Sequence, residues 1–162
     1  MGTLIRRKTF ETNSSSTHSI TICKADEFEK FTNGELLFIK DEQKFLKPEE
    51  VDTFYKRKAL KEKFEVDWEK YIISYKDEEV PFTDYKDREE RADELVDKYI
   101  EDLDAITEEE LEEMKDDDDW YANPIDYERY CELTECYEWY DVSYTTETGD
   151  KIVAFGYFGY GC

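Results

Sequence analysis

The sequence predicts an α+β fold in which hairpins at the two ends of the chain share one antiparallel sheet, covered by acidic amphipathic helices. Two observations support this prediction. β-Prone segments lie near both ends of the 162-residue chain, over residues 4–22 and 137–160. Most of the sequence between them has the apolar spacing and the capping residues of helices. Strands at both ends with helices between them are typical of the α+β class, and this length suits a single domain.

The first element is a hairpin predicted over about residues 4–22, LIRRKTFETNSSSTHSITI. Its two β-prone runs flank residues 12–17, whose small hydroxyl and amide side chains favour a turn. Residues 1–24 contain four bases and one acid, whereas the whole chain has a net charge of −22. The sequence therefore combines one cationic hairpin with a very acidic body.

Short helices and strands follow the hairpin. The elements predicted are, in order, a helix over residues 25–31, a strand over residues 35–40 and a helix from Pro48 to about residue 64. Asn33-Gly34 ends the first of these, because both residues accept the left-handed conformation of a helix end. Residues 66–75 fit a strand and a helix equally well.

The best helical pattern of the chain begins at Thr83 or Asp84, after Pro81 has broken the chain. Its apolar residues recur at three- and four-residue steps and form one stripe: Tyr85, Ala92, Leu95, Val96, Tyr99, Ile100 and Leu103. A capping box, Thr107-x-x-Glu110, then opens a short helix. The acidic run over residues 116–119 ends that helix.

The C-terminal part of the chain changes to β structure. Asn123-Pro124 predicts a turn, and residues 125–134 predict a last short helix. Residues 142–146 and 151–155 then flank a turn at residues 148–150, which gives the second hairpin. The glycines after residue 155 thin the last strand and indicate that another backbone approaches it closely.

An acidic middle spans about residues 76–138, with 27 acids and 7 bases. Two interpretations fit it: a solvated surface that keeps the protein soluble, or an imitation of nucleic-acid phosphates that binds the cationic channel of a nucleic-acid enzyme. The second interpretation assigns docking to these residues: Glu109, Glu112, Asp116, Asp117, Asp118 and Asp119. On either interpretation the acidic body repels free RNA and DNA, so we expect no direct binding of nucleic acid through it.

The hairpin carries the residues best suited to chemistry. His18, the only histidine of the chain, can act as a general acid or base. Arg6, Arg7 and Lys8 can hold a phosphate or stabilise charge that develops on one. We therefore assign catalytic roles on a phosphate to His18, Arg6 and Arg7. The alternative is that residues 12–17 only satisfy their own backbone, with His18 an ordinary residue at the edge of a loop; whether the chain is an enzyme stays open.

No metal, other cofactor or membrane contact is expected. The cysteines form no paired C-x-x-C units, and residues 116–119 lack the spacing of an EF-hand. No apolar run approaches the roughly 18 residues of a membrane-spanning helix. The first 20 residues also lack the apolar core of a signal peptide. These features predict a cytoplasmic protein.

The segment FETNSSSTHSI over residues 10–20, preceded by Arg6-Arg7, resembles the opening of a group of small, mostly uncharacterised proteins. These come from phages, plasmids and genomes of Gram-positive bacteria, and residues 149–157, GDKIVAFGY, are similar to their ending. The resemblance implies a bacterial host cell and a link to anti-CRISPR proteins that inactivate Cas9 by acting on its guide RNA.

The resemblance also implies that the hairpin carries such an activity, through Arg6, Arg7, Lys8, Asn13 and His18. The binding residues of the hairpin would then be the following: Lys8, Asn13, Ser14, Ser15, Ser16 and Thr17. The expected partner is Cas9 with its guide RNA, or another nucleic-acid-binding effector, and the expected action is a Cas9-dependent shortening of the guide. Two other functions stay open, an acidic mimic of nucleic acid without chemistry and a phage accessory protein unrelated to nucleic acid.

Overall fold

A computed structural model describes residues 7–11, 16–117 and 122–160. The chain divides into two compact units, residues 1–49 with 119–162, and residues 50–118. Each unit has a hydrophobic core of its own, and the single domain expected from the chain length stays a prediction. The predictions made for Arg6, Asn13, Ser14, Ser15, Asp118 and Asp119 fall outside the described residues.

Helices and short strands alternate along the chain. The N-terminal part contains β1 (Arg7–Glu11), β2 (Ser16–Lys24), α1 (Ala25–Thr32), β3 (Leu37–Ile39) and β4 (Lys44–Leu46). A short 3-10 helix (Pro48–Glu50) leads into α2 (Val51–Glu62), β5 (Glu65–Asp67), β6 (Ile72–Tyr75), β7 (Glu78–Pro81) and α3 (Tyr85–Lys98). A second 3-10 helix (Ile100–Ala105) precedes α4 (Glu108–Asp116), β8 (Pro124–Ile125), α5 (Tyr127–Leu133), β9 (Glu138–Thr145) and β10 (Lys151–Tyr160).

The two terminal hairpins share one four-stranded antiparallel sheet, with the strand order β1-β2-β10-β9. The predicted α+β class and the shared terminal sheet are therefore confirmed. The pairing of β2 with β10 joins the two hairpins, and in it His18 pairs with Phe158 and Ile20 with Gly156. On the other side of β2, His18 pairs with Phe10 of β1.

One face of this sheet is covered by α1 and α5, both of which carry several acids. Phe31 of α1 and Tyr130 of α5 pack against Phe155 of β10, with ring centroids 6.0 Å apart in each case. Phe28 of α1 lies closer, at 4.9 Å from the Phe155 ring. These rings form the core of the first unit. The more acidic helices α3 and α4 belong to the second unit.

In strand β2 the small polar side chains of Ser19 and Thr21 are buried, whereas those of the two isoleucines are not. Ser19 and Thr21 are 5% and 2% exposed on the covered face, while Ile20 and Ile22 are half-buried on the other face. Rings such as Phe28 and Phe155 fill the covered face, so small side chains fit there. The opposite face of the sheet, which we call the open face, is consequently the more apolar one along this strand.

The second unit forms its own core around α2, α3 and the three-stranded sheet β5-β6-β7. Leu60 of α2, Ile73 of β6 and Val96 of α3 are at most 1% exposed. Residues 66–75, which fitted two structures in the sequence, contain parts of strands β5 and β6. The segment around Ile73 is a strand because β5 and β7 pair on either side of β6.

Two prolines lie in strands that the sequence did not predict. Pro81, expected to break the chain, ends β7 and pairs with Ile72. Pro124 was expected in a turn, but it lies in β8 and pairs with Ile39, so that prediction is wrong. Both β7 and β8 are edge strands of their sheets. An edge strand tolerates proline because its outer side needs no N–H donor.

The helix ends follow the predicted capping chemistry. The Asp84 carboxylate accepts a hydrogen bond of 2.8 Å from the N–H of Asp87 and caps α3. At α4 the Thr107 hydroxyl accepts from the N–H of Glu110, whose carboxylate accepts from the N–H of Thr107, which confirms the capping box. The stripe of α3 ends earlier than expected, because the chain changes to a 3-10 helix after Lys98.

The close backbone approach expected near the last glycines occurs at Gly156. A Cβ atom at this position would lie 1.8 Å from the carbonyl oxygen of Ser19 and 2.9 Å from the hydroxyl oxygen of Tyr140. The Tyr140 hydroxyl donates a hydrogen bond of 2.7 Å to that same carbonyl oxygen. Gly156 thus allows a side chain of β9 to reach over β10 and bond to the backbone of β2.

We predict that Gly156→Ala lowers the free energy of unfolding by about 2 kcal/mol or more, because the added methyl group collides with backbone and disturbs the Tyr140 hydrogen bond. Urea denaturation followed by circular dichroism measures this change.

The control is Gly34→Ala. Gly34 has a positive φ of 88°, but an added Cβ would meet nothing within 4 Å, so only backbone strain of about 1–2 kcal/mol is expected. A Gly156→Ala protein as stable as the wild type would contradict the close approach.

Candidate functional site

The structure places the N-terminal site residues on the first two strands. Ser16 and Thr17, expected in the turn, instead begin β2, because they pair with Tyr160 and Gly159 of β10. This corrects the boundary of the predicted turn. His18 follows as the third residue of β2, so it lies within the strand and not at the edge of a loop.

The strand register separates Arg7 from Lys8. Lys8 pairs with Ile20, a residue of the open face, whereas Arg7 pairs with Thr21, whose side chain is buried on the covered face. His18 lies on the same open face as Ile20, two residues away. The backbone therefore gives Lys8, rather than Arg7, the register position on the face that carries His18.

Three rings meet on the open face around His18. The His18 ring centroid is 6.0 Å from that of Tyr140 and 6.2 Å from that of Phe158, in both cases with edge-to-face geometry. The Tyr140 and Phe158 rings are also 6.2 Å apart. This three-ring cluster, defined as His18, Tyr140 and Phe158, takes one residue from each of strands β2, β9 and β10. Phe158 is its most exposed member, with 42% of its surface accessible.

Tyr140 acts in this cluster as a proton donor. Burial raises the pKa of its phenol to about 12, so the hydroxyl stays protonated at neutral pH. Its proton is directed to the carbonyl oxygen of Ser19, and its oxygen lies 3.4 Å from Nε2 of His18. The Tyr140 hydroxyl therefore contacts His18 as a neutral group.

The predicted docking residues lie on α4. Glu109, Glu112 and Asp116, together with Glu113, are exposed and follow the spacing of one helix face, while Leu111 on the opposite side is buried. Among residues 18–117 and 122–159, no ion pair is found for these four acids, which we call the α4 row. Asp117 is exposed just beyond the helix end.

The bases of the second unit are largely engaged elsewhere. Arg57 pairs with Asp97 at 2.9 Å, Lys63 with Glu110 at 3.0 Å and Lys115 with Asp52 at 2.8 Å. The hydrogen bond and charge of Lys115 lower the pKa of the Asp52 carboxyl below its ordinary value. These pairs join α2 to α3 and α4. In the described part of the chain the α4 row forms no ion pair within 4 Å, although the charge of Lys115 acts on Glu112.

An aromatic patch on the second unit was not anticipated from the sequence. Trp68, Tyr71 and Tyr85 are 49%, 48% and 66% exposed. Trp68 and Tyr71 rest edge-on against the buried Phe82, and the Trp68 and Tyr85 rings stack at 6.4 Å. The guanidinium of Arg88 lies 4.8 Å from the centre of the Tyr85 ring. Exposed tryptophan, tyrosine and arginine together are typical of the energetic centre of a protein interface.

The sequence held a signal for this patch. Trp68 and Tyr71 flank a turn in which the Asp67 carboxylate accepts hydrogen bonds from the N–H groups of Glu69 and Lys70. Aspartate in that position favours such turns, so two aromatics at the tip of a hairpin could have been recognised. Tyr85 was instead assigned to the apolar stripe of α3, from which its exposure excludes it.

A groove of about 690 Å³ lies on the first unit, between the end of α1 and α5. Its lining includes the acids Asp126, Glu128, Glu132 and Glu135 together with Trp139. The concentration of carboxylates makes it unsuited to a phosphate, and it contains none of the predicted hairpin residues.

Within the described residues, no three histidine, cysteine, aspartate or glutamate side chains are grouped to hold a metal ion. None of the helices in the same part of the chain is long and apolar enough to cross a membrane. No protein-family model matches the chain, and neither the curated proteins nor the solved structures contain a match.

Proposed function

We propose that the protein inhibits a CRISPR effector, Cas9, by docking through its acidic surface and acting on the guide RNA through the N-terminal hairpin. The observation that carries the proposal is the partition of charge. Residues 1–24 have four bases and one acid, whereas residues 50–118 have 27 acids and 12 bases. The resemblance of residues 10–20 to phage proteins linked with anti-CRISPR activity supports the same proposal.

Docking is assigned to the second unit. The α4 row extends over seven residue steps of helix, or about 10 Å at 1.5 Å per residue. B-DNA carries a phosphate charge about every 1.7 Å along its axis, so a cationic channel built for nucleic acid also attracts such a row of carboxylates. The aromatic patch of Trp68, Tyr71 and Tyr85 supplies apolar contact area that a charged row lacks.

Action on RNA is assigned to the hairpin and requires the effector. A chain with a net charge of −22 repels free RNA over a Debye length of about 8 Å at physiological salt. Docking on a cationic effector neutralises this repulsion and brings the open face of the sheet to the guide. The action is therefore dependent on Cas9.

The chemistry suited to this site is transesterification of an RNA phosphate. His18 takes the proton of a ribose 2′-hydroxyl, and the 2′-oxygen attacks the adjacent phosphorus. The bond from phosphorus to the 5′-oxygen breaks, leaving a 2′,3′-cyclic phosphate on one fragment. The departing 5′-oxygen takes a proton from solvent and becomes a hydroxyl group. The bases of the hairpin, Lys8 among them, stabilise the negative charge on the phosphoryl oxygens.

The first prediction about function concerns His18. Incubated with Cas9 and guide RNA, the wild-type protein is expected to shorten the guide on a denaturing gel, and neither protein alone does so. His18→Ala and His18→Gln are both expected to slow shortening by a factor of about 100 or more, the usual contribution of a general base. Binding to Cas9 should not change, since His18 belongs to the first unit.

The matched control is Lys24→Gln, which replaces a charged side chain by a neutral one on the open face of β2, at the far end of the strand and beyond the predicted hairpin. It should shorten the guide at the wild-type rate. If His18→Ala also does, His18 has no part in the reaction.

A second candidate function, an acidic mimic without chemistry, is favoured by the α4 row alone. It needs only the carboxylates and an effector channel, and no role for His18. An intact guide combined with loss of target cleavage would identify this function. Failure of the protein to bind Cas9 at low salt would exclude both candidates.

The next prediction concerns the α4 row. Neutralising all four acids (Glu109→Gln, Glu112→Gln, Glu113→Gln and Asp116→Asn) is expected to weaken Cas9 binding by about 4- to 900-fold, since each exposed pair contributes about 0.2–1 kcal/mol. The dependence of binding on salt should also become shallower, because fewer screened charges remain. Titrations at several salt concentrations measure both effects.

The control neutralises four exposed acids of the β5-β6-β7 region, which changes the net charge by the same amount. These changes are Glu65→Gln, Glu69→Gln, Asp77→Asn and Glu79→Gln. If both quadruple variants lose the same affinity, net charge and not the α4 row drives docking.

A further inference from the structure

Two aromatic rings that the proposed chemistry does not use, those of Tyr140 and Phe158, lie beside His18 on the open face of the four-stranded sheet. In the register across the sheet, Phe10 of β1, His18 of β2 and Phe158 of β10 are direct cross-strand partners. Tyr140 of β9 pairs with Gly156 of β10, which is two residues along the strand from Phe158. Three strands thus present the rings of His18, Phe158 and Tyr140 within about 6 Å of each other.

We propose that this three-ring cluster binds an unpaired nucleobase by stacking on Phe158. The inference deepens the proposed function, on which it rests for the identity of the RNA, and it names residues of the C-terminal hairpin as part of the RNA site.

The exposure of Phe158 is the first argument. Its ring is 42% exposed although it touches two other rings, so a large apolar surface stays in contact with water at this point. A base stacked there would remove that surface from water, and any of the four bases can do so because each has a π-face.

The polar groups around the ring suit a base better than an apolar side chain. Nε2 of His18 and the hydroxyl of Tyr140 lie 3.4 Å apart at the edge of the cluster. The Tyr140 oxygen, whose proton is donated to the carbonyl oxygen of Ser19, can accept a hydrogen bond from the edge of a base. Exposed aromatics on a four-stranded sheet are a known platform for single-stranded RNA, whose unpaired bases are free to leave the stack.

Charge disfavours a second copy of the chain as the occupant. The charge around the cluster itself is mixed, because Lys8 occupies the next register position on the same face as His18, whereas the exposed Glu138 is the cross-strand partner of Phe158. Two copies of a chain with a net charge of −22 repel each other, so self-association through this face is disfavoured.

Stacking also places the nucleotide for the proposed reaction. A base fixed on Phe158 holds its own ribose beside the cross-strand neighbour His18, which needs access to a 2′-hydroxyl. Such positioning contributes strongly to rate because it replaces a random encounter by a prepared geometry.

The test uses the full chain and an uncharged probe, so that the repulsion between the protein and a phosphate backbone does not enter. Because His18 is the only histidine, its imidazole gives a single set of proton signals. Adenosine is titrated into the protein up to its solubility limit and the His18 signals are followed by NMR, with ribose as the probe that lacks a base. Fast exchange reports even a partly populated complex.

We expect adenosine to shift the His18 signals and ribose to leave them unchanged. Phe158→Leu should weaken adenosine binding at least about fivefold, since base stacking on an aromatic contributes about 1–3 kcal/mol. Tyr144→Leu is the matched control, because Tyr144 is a similarly exposed aromatic of the open face, 44% accessible, about 20 Å along the sheet from the row of Phe158. It should bind adenosine as the wild type does.

Saturation transfer on the wild type gives a second measurement that needs no variant. Saturation should pass from the protein to the base protons of adenosine more than to its ribose protons. Unmoved His18 signals, an equal shift with ribose, or unchanged binding by Phe158→Leu would each overturn the proposal.

The Cas9 assay distinguishes the two proposals. Guide shortening that fails in the wild type while adenosine shifts His18 removes the proposed function and leaves the base site. Guide shortening that is normal in Phe158→Leu, with His18 unmoved by adenosine, removes the base site and leaves the proposed function.

Discussion

The pairing of β2 with β10 is the constraint on which the first unit depends. It joins residues 16–24 to residues 152–160, so nearly the whole chain lies between the two partners. Forming this pair closes a very long loop, which is entropically costly, and the aromatic core under the sheet has to offset that cost. Phe155 is central to this core, because Phe28, Phe31, Phe45 and Tyr130 all pack on its ring. The same pairing puts His18 beside Phe158, so the core that stabilises the sheet also assembles the candidate site.

Electrostatic repulsion is the opposing constraint, and the chain meets it by local pairing. Lysines and arginines of the second unit form ion pairs with acids on neighbouring elements, as Arg57 does with Asp97 and Lys115 with Asp52. Each exposed ion pair stabilises the fold only weakly, but its base also reduces the repulsion between acids of neighbouring helices. The α4 row is different, because its carboxylates face outward from the helix. A surface of unpaired charge is costly to keep, and that cost is offset when a cationic partner covers it.

The sequence predicted the local features well because they depend on few residues. The capping box at Thr107 and Glu110, the helix end at Asn33-Gly34 and the turn before β10 follow from chemistry within four residues. The α+β class and the shared terminal sheet also followed, from the position of the β-prone segments. The edge strands β7 and β8 were missed, because the prolines at 81 and 124 suit an edge strand as well as a turn, and only the sheet decides between them.

Only part of the candidate site could be predicted from the sequence. His18 could be singled out as the lone histidine, and the acids of α4 by their composition, but Tyr140 and Phe158 come near His18 only through strand register. The aromatic patch around Trp68 shows the same limit, since its third member, Tyr85, comes from a helix that follows the sheet.

Strand β2 carries the clearest conflict between local pattern and structure. The usual rule would bury Ile20 and Ile22, yet Ser19 and Thr21 face the core and the isoleucines face outward. A natural sequence tends to break such a rule at a functional surface, where a partner later supplies the missing contact. In strand β2, Ile20 and Ile22 face outward on the same side of the sheet as His18. The proposed ligand fits this surface, because a nucleotide of single-stranded RNA offers a flat ring for Phe158 and a ribose hydroxyl for His18. On the two proposals taken together, the C-terminal hairpin holds the nucleotide and the N-terminal hairpin acts on it.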